Sequence, residues 1–259
     1  MELNTVHPNL SPAMNAINSV TVCDLKKDFE LNPVKRDFFK IVNSFILERA
    51  IKKLGNISIF DGGCGSGIYA HYAVDESLFR GLDVHIVLAD LIQDNLDKAT
   101  KNLEPLKDRR PKQVHVLRFL GDLRKKFPDQ NFDLIMYQEL IHWMEPEEVA
   151  KLFETTSNHM NKDAMMLLSW ATILNNASLR NANGALDFKK SYARTPITKR
   201  SESTDTRMTF LDRKDIVAMA GKAGLQPYAF DQLDNPYFPT RAGKLQYPLS
   251  SKLGTTGVV

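Results

Sequence analysis

The stretch Ile57-Ser58-Ile59-Phe60-Asp61-Gly62-Gly63-Cys64-Gly65-Ser66-Gly67 decides how this chain folds. Its first four residues form a short β-rich run, and Asp61-Gly62-Gly63 ends that run at a glycine turn. Glycines here let backbone amides approach a ligand closely, because no Cβ stands in the way and positive φ is permitted. A strand, a glycine turn and a helix in that order place a nucleotide-like ligand at the strand ends.

The pattern continues on both sides. Upstream, Asn32 caps a helix opened by Pro33, and Val34, Phe38, Ile41, Phe45 and Ile46 recur at helical spacing, which predicts a helix running to Leu54. Downstream, residues 84–89 read as strand, 93–103 as helix, and 114–120 and 132–137 as strands. Pro146-Glu147-Glu148 opens another helix, residues 164–170 form a strand, and Asp212 caps a helix ending near Gly224. Strands alternating with helices predict an α/β fold, a doubly wound and mostly parallel sheet with helices on both faces. Residues 171–209 fit neither period and are long for a plain loop, so they read as an inserted lid. The expected division is an N-terminal segment over 1–31 covering the active site, one domain over 32–250, and a flexible tail over 251–259.

Composition agrees with one packed domain: 259 residues, 43% apolar and 25% charged. Residues 1–11 lack the basic and apolar regions of an export signal, and the longest mostly apolar run, 164–174, is too short to cross a bilayer. The two cysteines, Cys23 and Cys64, cannot build a disulfide framework or a four-thiolate zinc site. A cytoplasmic protein with no membrane partner and no metal is expected. Net charge is only +3, so the chain as a whole does not suggest nucleic-acid binding. Residues 180–214, however, hold nine Lys/Arg against four Asp/Glu.

The glycine turn alone leaves the ligand open, because Gly65-Ser66-Gly67-Ile68-Tyr69-Ala70 also satisfies the dinucleotide G-x-G-x-x-A pattern. Asp90, ending the second strand, suits a ribose in either case, since a carboxylate can accept from two hydroxyls. What separates the readings is the set taken in order. Asp61 before Gly63-x-Gly65-x-Gly67, then Val87-Leu88-Ala89-Asp90, then Gly121-Asp122-Leu123, then Phe132-Asp133-Leu134-Ile135-Met136-Tyr137 resembles the four ordered motifs of class I (Rossmann-like) S-adenosylmethionine (SAM)-dependent methyltransferases.

That resemblance implies a seven-stranded sheet and SAM as cofactor, with S-adenosylhomocysteine (SAH) as product. It also implies site roles. Asp61 and the three glycines would face the methionine portion. Asp90, with Leu91 beside it, would hold the ribose. Asp122 would accept from the adenine amino group while the Leu123 amide reaches a ring nitrogen, and Gln138 would close the cofactor set.

Glu139 and His142, just beyond the fourth strand, are the ionisable candidates for catalysis, and Trp143 beside them is a candidate wall for the acceptor. Tyr137-Gln138-Glu139-Leu140 stands where enzymes acting on adenine or glutamine amides carry an Asn-Pro-Pro-Tyr-like motif, and Ile141-His142-Trp143-Met144 resembles small-molecule methyltransferases instead. A small-molecule acceptor is therefore preferred, an anionic one if Lys189, Lys190 and Arg194 reach it. A macromolecular acceptor such as RNA or an acidic carrier protein is the alternative, and a nicotinamide-dependent oxidoreductase a distant third.

Overall fold

The computed structural model describes residues 33–171, 195–196, 207–209, 211, 213–227, 231–233 and 256–258. The elements run α1 (Pro33–Ile51), β1 (Asn56–Gly62), α2 (Ile68–Phe79), β2 (Asp83–Asp90), α3 (Gln93–Arg109), β3 (Val114–Leu120), β4 (Phe132–Gln138), a single 3₁₀ turn (Ile141–Trp143), α4 (Pro146–Ser157) and β5 (Met160–Ala171). Beyond them come β6 (Thr195–Pro196), β7 (Arg207–Met208), α5 (Arg213–Lys222), β8 (Asp231–Leu233) and β9 (Thr256–Val258).

Five parallel strands in the order β3-β2-β1-β4-β5 form the body of the sheet. The parallel part thus has five strands rather than the seven implied for the sheet. The other two members, β9 and β8, are three-residue segments that extend the β5 edge antiparallel. β9 lies within the segment expected to be a tail.

From β1 the chain winds outward to β2 and β3, then returns to place β4 on the other side of β1. That reversal puts the switch point between β1 and β4, where parallel sheets open a crevice at their carboxyl ends. The same ends carry Asp61, Asp90 and Gln138.

Each sheet face carries its own core. On one, Phe38, Phe39, Val42 and Ile46 of α1 pack with α2 and α3 over Ile57, Ile59, Ile86 and Leu134. On the other, Val149, Leu152 and Phe153 of α4 and Ile216 of α5 cover Phe60, Val87, Ile135 and Tyr137. Each fully buried side chain of this size contributes roughly 1.5–3 kcal/mol, so this pattern fixes which way every strand faces. β4 is buried at all seven positions, as a central parallel strand should be.

The elements match their expected positions, with shifts that have local causes. α1 ends at Ile51 rather than Leu54, because Lys53 and Gly55 take positive φ of 54° and 73° and turn the chain. α3 continues past 103 to Arg109 with Pro105 inside it, where a proline suggests a stop. Burial of Leu103 and Leu106 on the sheet outweighs the missing amide. α4 begins as expected at Pro146, and Glu145 and Glu148 close a reciprocal capping box around it.

Candidate cofactor and acceptor site

The glycine turn is built by backbone constraint. Gly63, Gly65 and Gly67 all have positive φ (71°, 54° and 76°). The amides of Gly63 and Cys64 both donate to the Ala89 carbonyl, at 2.8 and 3.0 Å, which stitches the turn to β2. A Cβ on Gly63 would sit 2.8 Å from Leu140 Cδ1, and one on Gly67 2.8 Å from Ala99 Cβ. Cys64 is buried with its thiol pushed well up by that burial, so it has no reactive thiolate and serves as a turn residue.

Two buried acids end β1 and β2. Asp61 is 1% exposed, and its Oδ2 lacks a hydrogen-bond partner. Burial, reinforced by the nearby Asp90 charge, raises its pKa from 3.8 to about 7. Asp90 is raised as well, by burial, against the pull of several hydrogen bonds. Its Oδ2 accepts from the Gly65 amide at 3.0 Å, and Oδ1 accepts from the Ile92 amide at 2.9 Å and Asn95 Nδ2 at 3.2 Å. Three of about four acceptor positions are thus taken. A ribose diol engaging Asp90 through both hydroxyls must displace at least one of these donors.

At the next strand end, Asp122 meets Arg124. The guanidinium grips the carboxylate in a bidentate pair, Nε to Oδ1 at 2.7 Å and Nη2 to Oδ2 at 2.8 Å, and the Arg124 amide adds a 3.0 Å bond to Oδ1. Burial pulls the Asp122 pKa up, but Arg124 outweighs it and holds the group below its ordinary value. Arg124 Nη1 also reaches Glu148 Oε1 at 3.3 Å.

Between these walls lies a cavity open to solvent, lined by Gly63, Asp90, Leu91, Gly121, Asp122, Leu123, Arg124, Leu140, Trp143 and Met144. It unites Gly63, Asp90, Leu91, Asp122, Leu123 and Trp143 from the residues expected in the site. Asp61, Gly65, Gly67, Gln138, Glu139 and His142 do not form its wall. The Gln138 side chain turns toward β5, where Nε2 donates to the Leu167 carbonyl at 3.3 Å. Lys189, Lys190 and Arg194 lie outside the described residues. Leu140, Met144 and Arg124 were not expected from sequence. For Arg124 the available signal was its place two residues after Asp122 combined with Glu148 at a helix start.

The turn after β4 forms the second wall. Glu139 has φ of +58°, uncommon for a residue with a Cβ, and its amide donates to both the Ser169 carbonyl and Oγ at 3.2 Å. His142 is 2% exposed, its Nδ1 lacks a partner, and burial lowers its pKa to about 3, so the ring is neutral. Its carbonyl accepts from the Thr209 amide at 2.8 Å, and Thr209 Oγ1 is another buried atom without a partner. Thr209 is thereby tied to the residue preceding Trp143 of the cavity wall. Among the described residues no group of three or more His, Cys, Asp or Glu could hold a metal, and no helix is long and apolar enough to cross a membrane.

Residues 59–163, from within β1 to the start of β5, match the model of a family described as a methyltransferase domain. The fold is shared with solved structures of low sequence identity. A SAM-dependent methyltransferase from Mesorhizobium loti is 19% identical, with a TM-score of 0.54 over 79% of this chain and 90% of that one. Magnesium protoporphyrin IX methyltransferase from Synechocystis PCC 6803, solved with SAH bound, is 14% identical, with a TM-score of 0.52 over 95% and 94%. A SAM-dependent methyltransferase from Clostridium acetobutylicum is 12% identical, with a TM-score of 0.51 over 85% and 90%. Among curated proteins, none matches the sequence of this chain. Residues 59–163 thus carry a methyltransferase domain, and the chain shares its fold with solved SAM-dependent methyltransferases.

Proposed function

We propose that this protein transfers the SAM methyl group in line to an oxygen or nitrogen of a small-molecule acceptor, releasing SAH. The observation that carries this reading is the cavity that joins the cofactor motifs of β1, β2 and β3 to the Trp143 wall beyond β4. When bound, SAM supplies an electrophilic methyl on a sulfonium. The chain's residues fit it: a glycine turn that a Cβ would fill, one buried carboxylate oxygen without a partner, Asp61 Oδ2, for an ammonium, and acids at Asp90 and Asp122 for ribose and adenine.

The protein's contribution is mainly positioning. Holding the nucleophile about 3–3.5 Å from the methyl carbon supplies roughly 7–11 kcal/mol through orientation alone. A protic acceptor such as an ammonium or alcohol must also lose a proton, and we assign His142 as the base on its unpartnered Nδ1, a role that requires acceptor binding to uncover the ring and restore the basicity that burial removes. Glu139 fixes the turn that carries it and is the second ionisable candidate. We place the insertion over the acceptor, with Lys189, Lys190 and Arg194 favouring an anion. The Thr209 bond to the His142 carbonyl supports that placement. The basic run over 180–214 also supports a second reading, an acidic macromolecule as acceptor.

The test is SAH formation from SAM across a panel of small carboxylate, phenol and amine acceptors, repeated with RNA. One small acceptor turned over, with His142→Gln lowering kcat by about 10²-fold or more at unchanged SAM affinity, is the expected result. Turnover with RNA alone would replace the small-molecule reading.

A further inference from the structure

Arg124 joins the two walls of the cavity, and the site reading above gives it no role. Three residues form the junction. Asp122 belongs to the loop after β3, Glu148 to the first turn of α4, and Arg124 holds one with each end of its guanidinium. The side chains of Asp122 and Arg124 are only 14% and 20% exposed, so water screens this pair less than it would a surface bridge. Glu148 is itself fixed, because its Oε2 accepts from the Glu145 amide at 2.8 Å in the capping box. The chain of contacts thus runs from the adenine end of the cavity to the helix that follows Trp143 and Met144.

The bonds also decide what Asp122 can still do. Oδ1 accepts from both the amide and Nε of Arg124, which fills its two lone pairs. Oδ2 accepts only from Nη2. One acceptor position therefore remains on a carboxylate whose rotamer and plane are set by a bidentate partner. A free aspartate after a strand end would offer several acceptor directions to water.

We propose that Arg124 is a positioning residue for cofactor specificity: by locking Asp122 and tying it to α4, it leaves one Oδ2 lone pair to receive the exocyclic amino group of the adenine ring. This rests on the reading of the cavity as a SAM site and adds to it the residue that makes the adenine end selective. Arg124 does not take part in the methyl transfer.

The experiment is calorimetric binding of SAH, and of its analogue lacking the adenine amino group, to the full chain and to Arg124→Ala, Arg124→Lys and Glu148→Gln. Wild type should prefer SAH by about 10- to 150-fold, the range for one hydrogen bond to a charged group. Arg124→Ala should cut that preference to about threefold or less. Arg124→Lys, a point charge without the fork, should fall between, and Glu148→Gln should keep the preference because the Asp122 grip is intact. A merely structural role would weaken both ligands together and leave their ratio unchanged. A folded Arg124→Ala with wild-type preference overturns the proposal; if that variant does not fold, Arg124→Lys with wild-type preference does so. Wild type that binds both ligands equally overturns it while leaving the SAM site standing. Wild type that binds neither removes the SAM site as well.

Discussion

The two walls of the cavity are built by different physics. The wall from β1 and β2, where Gly63 and Asp90 line the cavity, is held by a backbone structure behind it: three glycines at positive φ, two amides on one carbonyl, and the Gly65 amide on Asp90. The wall beyond β4 is a side-chain structure of Leu140, Trp143 and Met144, set on a 3₁₀ turn and tied to distant segments at Ser169 and Thr209. Backbone geometry of the first kind tolerates almost no substitution. Side chains of the second kind can be exchanged for others of similar volume. A methyltransferase needs that division, since the donor is constant and the acceptor varies.

The sharpest way to break the comparison is Gly67→Ala. Its Cβ would meet backbone as well as side chain, 2.9 Å from Ala99 Cα, at φ of +76°. Left-handed strain and the clash should together cost about 3 kcal/mol or more, read from chemical unfolding. Met144→Leu on the other wall should cost less than about 1.5 kcal/mol. Equal costs would erase the distinction.

Asp61 gives an effect of comparable size that depends on pH. Its folded pKa near 7 lies above the unfolded value of 3.8, so the folded state binds more protons between those limits. Stability from this group is full below about pH 4 and is lost as pH rises through 7, by up to about 4 kcal/mol. Asp61→Asn should flatten that part of the stability profile. SAM affinity should run the other way, weakening by up to about tenfold per unit below pH 7, because the ammonium needs the ionised acid. A SAM affinity constant from pH 5.5 to 8 would contradict a role for Asp61 in binding.

The smallest expected effect concerns the basic residues proposed to lie over the acceptor. Neutralising Lys189, Lys190 and Arg194 together should raise the acceptor KM severalfold at low salt, less at 0.15 M, and leave SAM affinity nearly unchanged. Wild-type kinetics at low salt would make the run an ordinary solvated surface.

The same contrast explains what the sequence could reveal. The strand-helix alternation and the residues of the first wall were legible because their signals are local: a β-rich run, glycines at fixed offsets, an acid closing each strand. Pro105 misdirected the end of α3 because local propensity yields to burial of Leu106. Arg124 was missed because its signal is spread, with Asp122 two residues before it and Glu148 24 residues away. Nor was the orientation of Gln138, which follows from how β5 lies against β4. Sequence placed His142 near the site, but the Thr209 bond to its carbonyl comes from a segment far along the chain, and its buried Nδ1 without a partner follows from tertiary packing.

The central claim is that the strand-end cavity holds SAM, and calorimetric titration of the full chain with SAM, SAH and NAD tests it most directly. Micromolar binding of SAM and SAH, none of NAD, and a roughly 10- to 150-fold loss of SAM affinity in folded Asp90→Ala are predicted, from the charge-assisted bonds that Asp90 would give the ribose. Binding of NAD without SAM, or unchanged SAM affinity in that variant, would contradict the account.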